Sequence, residues 1–472
     1  ALGLSPLHAA TPLPPLPASP YSPSSRRWHN PTLLCVEAIP CAAELRDLPR
    51  HAEAARALLA EPLVDRDAAW AAKSAVLEAI WEQRSDRVRD EVAAFEATEG
   101  RPLELWTTFC TLAELHGPDW WRWPEHLRHP DRPEVAAAVE AHRDRLAFHA
   151  WLQLHLGQQL DDAAGLGVRL IQDLAIGVDP HGADAWALQD LLALGVSVGA
   201  PPDDFGPQGQ VWGLPPFIPW RLRDAGYRPL AELLRAGMRG GGGLRIDHVM
   251  GLSRLFWVPE GTDPAEASYV RFAGRELLEV LAMESARSGA IVVGEDLGTV
   301  EDHLRTELAD TGVLSTRLVW FEDDPPEHYP AQSLGMVTTH DLPTLAGLWT
   351  GADDDELEAI GRPAPPDATA GVLDRVARLT GLDPRVRSAD DLPAALESLH
   401  HRLGAGSSVL VLATLEDATA TVPRPNVPGT TSERPNWSLA LATPVDELDQ
   451  SPTVPLVVDA LREGRGQASQ GD

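Results

Sequence analysis

The 472-residue sequence contains very little lysine and cysteine. Lys73 is its only lysine, and its 39 basic residues stand against 70 acidic ones, which gives a formal net charge of −31. A surface of this sign repels phosphate backbones and anionic lipids, so we expect neither nucleic acid nor a membrane among its partners. The three cysteines, Cys35, Cys41 and Cys110, are odd in number and form no CxxC motif. They indicate a reduced, cytoplasmic protein.

Long apolar runs are also lacking. No run approaches the roughly 20 residues that a membrane helix needs. The composition, 44% apolar and 23% charged, is typical of a soluble globular protein. The chain is long enough to bury a sizeable core.

Three patterns follow one another along the chain. Residues 5–31 are rich in proline and serine, which forbids a long helix, and residues 41–163 show helical spacing. From about residue 166, short apolar runs alternate with helical segments. These runs cover 167–178, 243–249, 289–298, 315–323, 335–341 and 407–417, with a partial one at 1–5. This alternation predicts an α/β fold whose parallel sheet is covered by helices.

We therefore predict a (β/α)8 TIM barrel with a large helical insertion. Residues 1–40 would begin the barrel with the Pro/Ser-rich loop, 41–163 would form the insertion, and 164–460 would complete the barrel, with a long loop at 195–220. Residues 461–472 are expected to be a disordered tail. A closed barrel needs one strand more than these runs supply, so we expect the first strand and helix to lie upstream of this sequence.

Three acidic residues end three of the predicted strands. They are Asp247 in "LRID", Glu295 in "IVVGE" and Asp341 in "VTTHD". The active site of an α/β barrel lies at that edge, so we expect the three carboxylates to converge there. A single acid in such a place more often caps a turn. The glycine run 240–243 is expected to let the chain turn tightly into the strand that carries Asp247.

The strand period places Arg245 and Asp247 on the same face. A guanidinium beside Asp247 favours the ionised carboxylate that a nucleophile needs, although a purely structural ion pair is the alternative. Glu295 follows Gly294, and in a drier setting it could donate a proton. A nucleophile and an acid/base about 5–5.5 Å apart are the equipment of retaining glycoside chemistry.

Several stretches of the chain resemble one known family. "LRIDHVMGL", "VVGEDLGTV" and "TTHDLPTLAGLW" are similar to signature stretches of the 4-α-glucanotransferases (amylomaltases, disproportionating enzymes), which belong to the α-amylase superfamily. "SPYSPSSRRWHNP", residues 195–220 and "PRPNVPGTTSERPNW" also resemble the family. The resemblance is closest to the bacterial maltodextrin-metabolising branch, whose members usually carry an additional N-terminal region.

The resemblance implies an enzyme that moves α-1,4-glucan segments to the 4-hydroxyl of glucose or a maltodextrin, without a cofactor. Asp247 matches the nucleophile, Glu295 the general acid/base and Asp341 the third carboxylate. Residues 195–220 match a substrate loop. The positions that match or align with sugar contacts are Arg245, His248, His340, Gln210, Trp212, Tyr21, Asp179 and Asp184.

Other interpretations remain open at this point. An α-1,4-glucan hydrolase would use the same carboxylates, and an inactive glucan-binding fragment is a third possibility. No HExxH, HxH or Cys/His cluster is present, so we expect no catalytic metal. The tryptophans of "GPDWWRWPEHLRHP" (117–130) are expected to anchor the helical insertion, and a second sugar platform is the less favoured interpretation.

Overall fold

The computed structural model describes residues 1–40, 42, 48–202, 208–298, 300–363, 366–383 and 389–468. The chain divides into two compact units, the first made of Ala1–Glu61 and Asp65–Val292 and the second of Pro62–Val64 and Val293–Asp472. None of the described helices is long and apolar enough to cross a lipid bilayer.

The described strands are β1 (Leu2–Gly3), β2 (His8–Ala9), β3 (Ser25–His29), β4 (Leu170–Leu174), β5 (Val196–Ala200), β6 (Gln210–Leu214), β7 (Gly243–Ile246), β8 (Arg254–Pro259), β9 (Ser268–Arg271), β10 (Ile291–Gly294), β11 (Leu314–Leu318), β12 (Ser333–Met336) and β13 (Leu410–Leu412). The described helices of the first unit are α1 (Leu48–Ala57), α2 (Arg66–Glu82), α3 (Asp86–Glu99), α4 (Arg101–His116), α5 (Pro133–Ala141), α6 (Arg143–Gly165), α7 (Ala183–Ala187), α8 (Pro219–Asp224), α9 (Arg228–Gly237) and α10 (Gly274–Ser288). Those of the second unit are α11 (Asp302–Asp310), α12 (Leu345–Thr350), α13 (Ala352–Ala359), α14 (Pro366–Thr380), α15 (Leu392–Gly404), α16 (Leu415–Ala418) and α17 (Thr453–Ala468).

Parallel strands form the centre of the first unit. β4 pairs with β1 on one side and with β7 on the other, and the register sets Asp173 opposite Arg245. Ile291, at the start of β10, donates its N–H to the carbonyl of Gly242 at 3.3 Å. All five residues of β4 are buried, as expected for a strand covered on both faces. The strands predicted within 1–5, 167–178 and 243–249 are confirmed.

The turn between α9 and β7 requires its glycines. Gly240 and Gly241 have φ values of 85° and 71°, in the left-handed region that favours glycine. A Cβ on Gly242 would lie 1.8 Å from the carbonyl oxygen of Leu170, at the start of β4. The glycine run therefore allows the tight turn that was predicted, and it also brings β7 against β4.

The prediction of a long loop at 195–220 is wrong. β5 and β6 lie in this segment and pair antiparallel, and residues 203–207 between them lie outside the described part of the chain. β5 also pairs with β8, which pairs with β9. The loop prediction failed because both strands are short and only half-buried, and because β5 depends on a partner some 60 residues away in the sequence.

Helices α1 to α6 lie within the segment where helical spacing was predicted, although residues 41 and 43–47 of that segment are outside the described residues. They surround an aromatic core. Its tryptophans are Trp28, Trp70, Trp81, Trp106, Trp120, Trp123, Trp151 and Trp186. Two indole hydrogen bonds tie this core to the segment after β4: Trp120 donates to the Pro180 carbonyl at 3.0 Å, and Trp186 donates to the Leu127 carbonyl at 3.2 Å.

In the second unit, the last two residues of β10 pair with β11, and the parallel order continues through β12 to β13. The strands predicted within 289–298, 315–323, 335–341 and 407–417 are confirmed. Helices α12, α14, α15 and α17 contribute to its apolar core.

The prediction of a disordered tail from residue 461 is wrong for residues 461–468, which belong to α17. Leu461 packs against the apolar core, and Arg465 donates to the Ser408 carbonyl at 2.8 Å. The prediction was wrong because the end of the chain is polar in composition, whereas the helix is stabilised by packing against α15. Residues 469–472 lie outside the described residues.

Candidate active site

Asp247 directly follows β7, where the chain leaves the sheet. Its N–H donates to the Leu174 carbonyl at 3.1 Å, which continues the pairing with β4. Arg245 Nη2 donates to Asp247 Oδ1 at 3.2 Å, so the two side chains share a face as the strand period predicted. Arg245 Nη1 also donates to both carboxylate oxygens of Asp173, at 2.7 and 2.8 Å. One guanidinium therefore holds two carboxylates at the ends of adjacent strands.

Tyr21 completes this array from the Pro/Ser-rich segment. Its hydroxyl donates to Asp173 Oδ2 at 2.6 Å. Burial, and then the charge of Asp173, raise the pKa of Tyr21 well above its ordinary value, so the hydroxyl remains a neutral donor. The four side chains form a continuous series, Tyr21–Asp173–Arg245–Asp247, which we call the carboxylate array.

Asp173 was missed from the sequence. It lies inside the run that forms β4, whereas the predicted catalytic acids terminate such runs. Its signal was the presence of an acid within a buried strand. An aspartate only 6% exposed requires a charged or hydrogen-bonding partner. Arg245 and Tyr21 supply both.

His248 follows Asp247 in the left-handed backbone region, with φ 48° and ψ 60°. Burial lowers its pKa to about 4, so the imidazole is neutral at neutral pH. Trp212 presents its ring edge-on to His248, with centroids 5.3 Å apart, and donates its indole N–H to Gln210 Oε1 at 2.9 Å. The structure thus places Gln210 and Trp212 of β6 beside His248, which follows Asp247 in the sequence.

Asp179 and Asp184 lie in and after the loop that follows β4. Asp184 Oδ2 accepts the backbone N–H of Arg26 at 2.9 Å, and Asp179 Oδ1 accepts that of His181 at 2.8 Å. Burial raises the pKa of both carboxyl groups above the ordinary value. Both side chains therefore hold the backbone in place, and their predicted contact with a sugar stays a prediction.

In the second unit, Glu295 directly follows β10. Its Oε1 accepts the N–H of Leu297 at 2.7 Å. The adjacent Asp296 is buried, and its Oδ1 accepts the N–H of Thr316 at 2.8 Å. Burial raises the pKa of Asp296. The two neighbouring acids therefore differ in role: Asp296 holds β11 in place, whereas Glu295 is half-exposed.

Asp341 lies in the loop after β12. Its Oδ1 accepts a hydrogen bond from Asn426 Nδ2 at 2.7 Å, and His340 Nε2 lies 3.6 Å from its Oδ2. The ring centroids of His340 and Trp437 are 4.9 Å apart. Asn426 and Trp437 lie in the stretch 423–437 that resembles the family, but no role was predicted for either residue. Nothing in the local pattern indicates that this stretch folds back onto Asp341.

Arg424 holds the backbone of the same loop. Its Nη1 donates to the backbone carbonyl of Asp341 at 3.1 Å, and its Nε donates to Asp353 at 2.7 Å. Its Nη2 contacts the other oxygen of the same carboxylate. Both side chains of this pair are nearly fully buried, so the geometry of Asp341 is set by residues far away in the sequence.

Among the described residues, no group of three or more His, Cys, Asp or Glu side chains is arranged to hold a metal ion.

Comparisons with known proteins agree with one another. A family model described as 4-alpha-glucanotransferase (Glyco_hydro_77) matches residues 1–444. The 4-alpha-glucanotransferase of Mycobacterium tuberculosis is 43% identical over 479 residues, which cover 93% of this chain and 66% of that protein. The 4-alpha-glucanotransferase of Haemophilus influenzae is 32% identical over 511 residues, covering 98% of this chain and 73% of that protein. The chain therefore spans 66% of the length of the mycobacterial relative.

Two solved structures are similar in fold. Amylomaltase from Corynebacterium glutamicum superimposes with a TM-score of 0.85 at 35% identity, covering 98% of this chain and 70% of that one. Amylomaltase from Streptococcus agalactiae, solved in complex with acarbose, gives a TM-score of 0.80 at 17% identity, covering 99% and 91%. This second likeness bears on the fold alone. Together with the alternating parallel strands and helices, these similarities confirm the predicted (β/α)8 barrel class.

Proposed function

Because the chain belongs to the 4-α-glucanotransferase family, we propose that it moves segments of α-1,4-glucan from a donor to the 4-hydroxyl of glucose or a maltodextrin. The observation that carries this proposal is the carboxylate array. It presents Asp247 at the end of a buried strand, with a guanidinium 3.2 Å away. Its substrates are neutral maltooligosaccharides and glucose, which suit a chain with a net charge of −31.

In the first step, Asp247 attacks the anomeric carbon of the donor sugar. A C–O bond forms to the carboxylate, and the glycosidic C–O bond breaks while Glu295 gives its proton to the leaving oxygen. Arg245 favours the ionised form of Asp247, and Asp173 together with Tyr21 fixes the direction of the guanidinium. The product of this step is a covalent glycosyl-enzyme and a shortened glucan.

In the second step, the 4-hydroxyl of an acceptor sugar attacks the same carbon. Glu295, now a carboxylate, takes the hydroxyl proton, and Asp247 leaves as a carboxylate. Two displacements at one carbon retain the configuration. Asp341 hydrogen-bonds sugar hydroxyls in the distorted ring, and the 2.7 Å bond from Asn426 supports its orientation.

The remaining predicted contacts are assigned to sugar binding. His248 and His340 hydrogen-bond the sugar at the point of cleavage, and His248 does so as a neutral imidazole. Gln210 and Trp212 act from β6, and their mutual hydrogen bond supports a fixed orientation of both side chains. Tyr21 lines the same place through Asp173. Asp179 and Asp184 contribute from the loop after β4.

Transfer and hydrolysis use the same carboxylates, and they differ in whether water reaches the glycosyl-enzyme. Family membership favours transfer over the α-1,4-glucan hydrolase and over an inactive glucan-binding protein. The strands β5 and β6 supply ordered cover next to His248, which supports exclusion of water. We place the reaction in the cytoplasm, where the absence of a disulfide at Cys35 and Cys110 is expected.

Incubation with maltotriose tests the proposal. Chromatography should show free glucose together with a ladder of longer maltodextrins. Shorter sugars alone would establish hydrolysis, and unchanged maltotriose would contradict the proposed activity for this chain.

Variants of two carboxylates test the assigned roles. Asp247→Asn should abolish turnover of every donor while the protein still folds, because no nucleophile remains. Glu295→Gln should stop transfer from maltotriose but should still release the leaving group from an aryl maltooligosaccharide, which needs no proton to depart. Near-normal transfer by Asp247→Asn would contradict its assignment as the nucleophile.

A further inference from the structure

We infer that Trp121 is a second glucan-binding platform, which holds a distant part of the substrate chain while its end reacts at Asp247. This inference rests on the proposed function, because it identifies where long donors gain additional binding.

Trp120 and Trp121 form a stacked pair. Their ring centroids are 4.1 Å apart and their planes differ by 22°. Both indole N–H groups donate to the same carbonyl, that of Pro180, at 3.0 Å from Trp120 and 3.3 Å from Trp121. The pair is therefore held at one end by hydrogen bonds and along one face by stacking. This arrangement fixes the orientation of the outer ring.

Burial separates the tryptophans of this segment into two kinds. Trp120 and Trp123 are 2% and 0% exposed and belong to the aromatic core, which agrees with the predicted role of anchors. Trp121, which lies between them in the sequence, is 42% exposed. An anchor would bury this ring. Trp120 covers one face of the Trp121 ring, and the other face is exposed to solvent.

A polar rim lies beside the exposed ring. Asp119 Oδ1 lies 2.9 Å from His181 Nδ1, and Asp119 Oδ2 lies 3.1 Å from Arg122 Nε. These groups offer hydrogen-bond donors and acceptors next to an aromatic face. A sugar ring needs the same combination, since its C–H face packs on the electron-rich face of an aromatic ring while its hydroxyls form hydrogen bonds.

The platform is connected to the carboxylate array through the loop after β4. Pro180, which holds both indoles, is seven residues beyond Asp173, so the two lie at most about 25 Å apart. The N–H of Asp179 donates to the Pro23 carbonyl at 2.8 Å, two residues from Tyr21. The same loop therefore joins the platform to Asp173 and, through Pro23, to the segment that carries Tyr21. An oligosaccharide of several glucose units can span a distance up to this limit, and a long donor has more units with which to reach the platform than a trisaccharide has.

The occupant that fits is an α-1,4-glucan and not another protein. Protein-binding surfaces require a contiguous area of some hundreds of Å², whereas a single sugar unit covers one indole face. Around the exposed ring, Asp119, His181 and Arg122 are polar and solvated, and they do not extend an apolar patch.

Chain-length dependence of the reaction tests this inference. The kcat/KM for transfer is measured with maltotriose and with maltoheptaose, using the full chain and the variants Trp121→Ala and Trp121→Phe. Tyr269→Ala is the matched control, because the Tyr269 ring is exposed to almost the same extent (43%) but lies on β9. The ratio of kcat/KM for maltoheptaose to that for maltotriose should fall about two- to tenfold in Trp121→Ala, through KM. Trp121→Phe should keep most of the ratio, since a ring still stacks on Trp120, and Tyr269→Ala should leave it unchanged.

Electrophoresis of the same proteins through gels that contain soluble amylose gives a readout that needs no turnover. Retardation that Trp121→Ala loses and Tyr269→Ala keeps supports the platform, even if the wild-type protein transfers nothing from maltotriose. That combination would refute the proposed function alone. An unchanged ratio together with unchanged retardation in Trp121→Ala overturns the platform. So does a variant that keeps its glucan binding but elutes at a different size, because Trp121 would then be a protein–protein contact.

Discussion

Asp173→Asn should uncouple the carboxylate array. Arg245 divides its donors between Asp173 and Asp247, and the two bonds to Asp173 are the shorter ones, at 2.7 and 2.8 Å against 3.2 Å. Once Asp173 is neutral, the guanidinium turns toward Asp247. Asp247 is then held more tightly in its ground state and in a shifted direction. Misplacement of a reacting group by about 1 Å costs on the order of 100-fold in rate, so kcat should fall by about that factor.

The same substitution should also destabilise the fold, and the size of the stability loss follows from the contacts of Asp173. Removing one partner of a buried ion pair costs about 3–5 kcal/mol. Here asparagine keeps one carbonyl oxygen as an acceptor, and Arg245 keeps Asp247 as an anionic partner, so we expect about 2–3 kcal/mol. Thermal unfolding measures this loss, and transfer from maltotriose at a temperature below the transition measures the rate.

Glu284→Gln separates the two effects. Glu284 is also a buried carboxylate, and Arg235 grips it with two donors, at 3.0 and 2.8 Å. It lies on α10, away from the carboxylate array. The control should also lose stability, but less than Asp173→Asn because the Arg235 side chain is 57% exposed, and it should retain its transfer rate. If Asp173→Asn retained the rate as well, the array would be a structural ion pair and the reasoning would be refuted.

Three further changes have definite expected outcomes. Gly242→Ala should destabilise the fold by several kcal/mol, seen as a lower melting temperature, because its Cβ would meet the Leu170 carbonyl at 1.8 Å; an unchanged melting temperature would contradict that contact. His248 has a folded pKa of about 4 against 6.5 unfolded, so its contribution to stability is complete above pH 6.5 and is lost as the pH falls toward 4, by up to about 3 kcal/mol. His248→Gln should show a shallower fall in melting temperature over that range, and an identical fall would contradict it. Asn426→Ala should lower kcat/KM with maltotriose about tenfold, because Asp341 loses its 2.7 Å donor, and Asn426→Asp should lower it further through charge repulsion; a wild-type value in either variant would count against the positioning role.

The parallel strands were predictable because a strand buried on both faces is a nearly continuous apolar run in the sequence. The runs at 243–249 and 289–298 became β7 and β10, each followed at once by the acid that had been singled out. Arg245 could be paired with Asp247 because the strand period is two and needs no tertiary information.

What was missed depends on partners that are distant in the sequence. β6 alternates half-buried and exposed residues, and its pairing with β5 cannot be read from either strand alone. The role of Asp173 depends on Arg245, the residue opposite it on β7. Asn426 contacts Asp341 although the two are 85 residues apart in the sequence, and no local pattern predicts that contact.

The register between β4 and β7 has a consequence for how these strands can vary in length. Asp173 faces Arg245 only because the two strands are aligned residue against residue. Inserting or deleting one residue in either strand would turn every following side chain to the opposite face, replacing Asp173 by Leu174 or Gln172 at that position. The number of residues between the glycine turn and Asp247 is therefore fixed. Length variation among relatives should therefore be confined to segments outside this pair of strands.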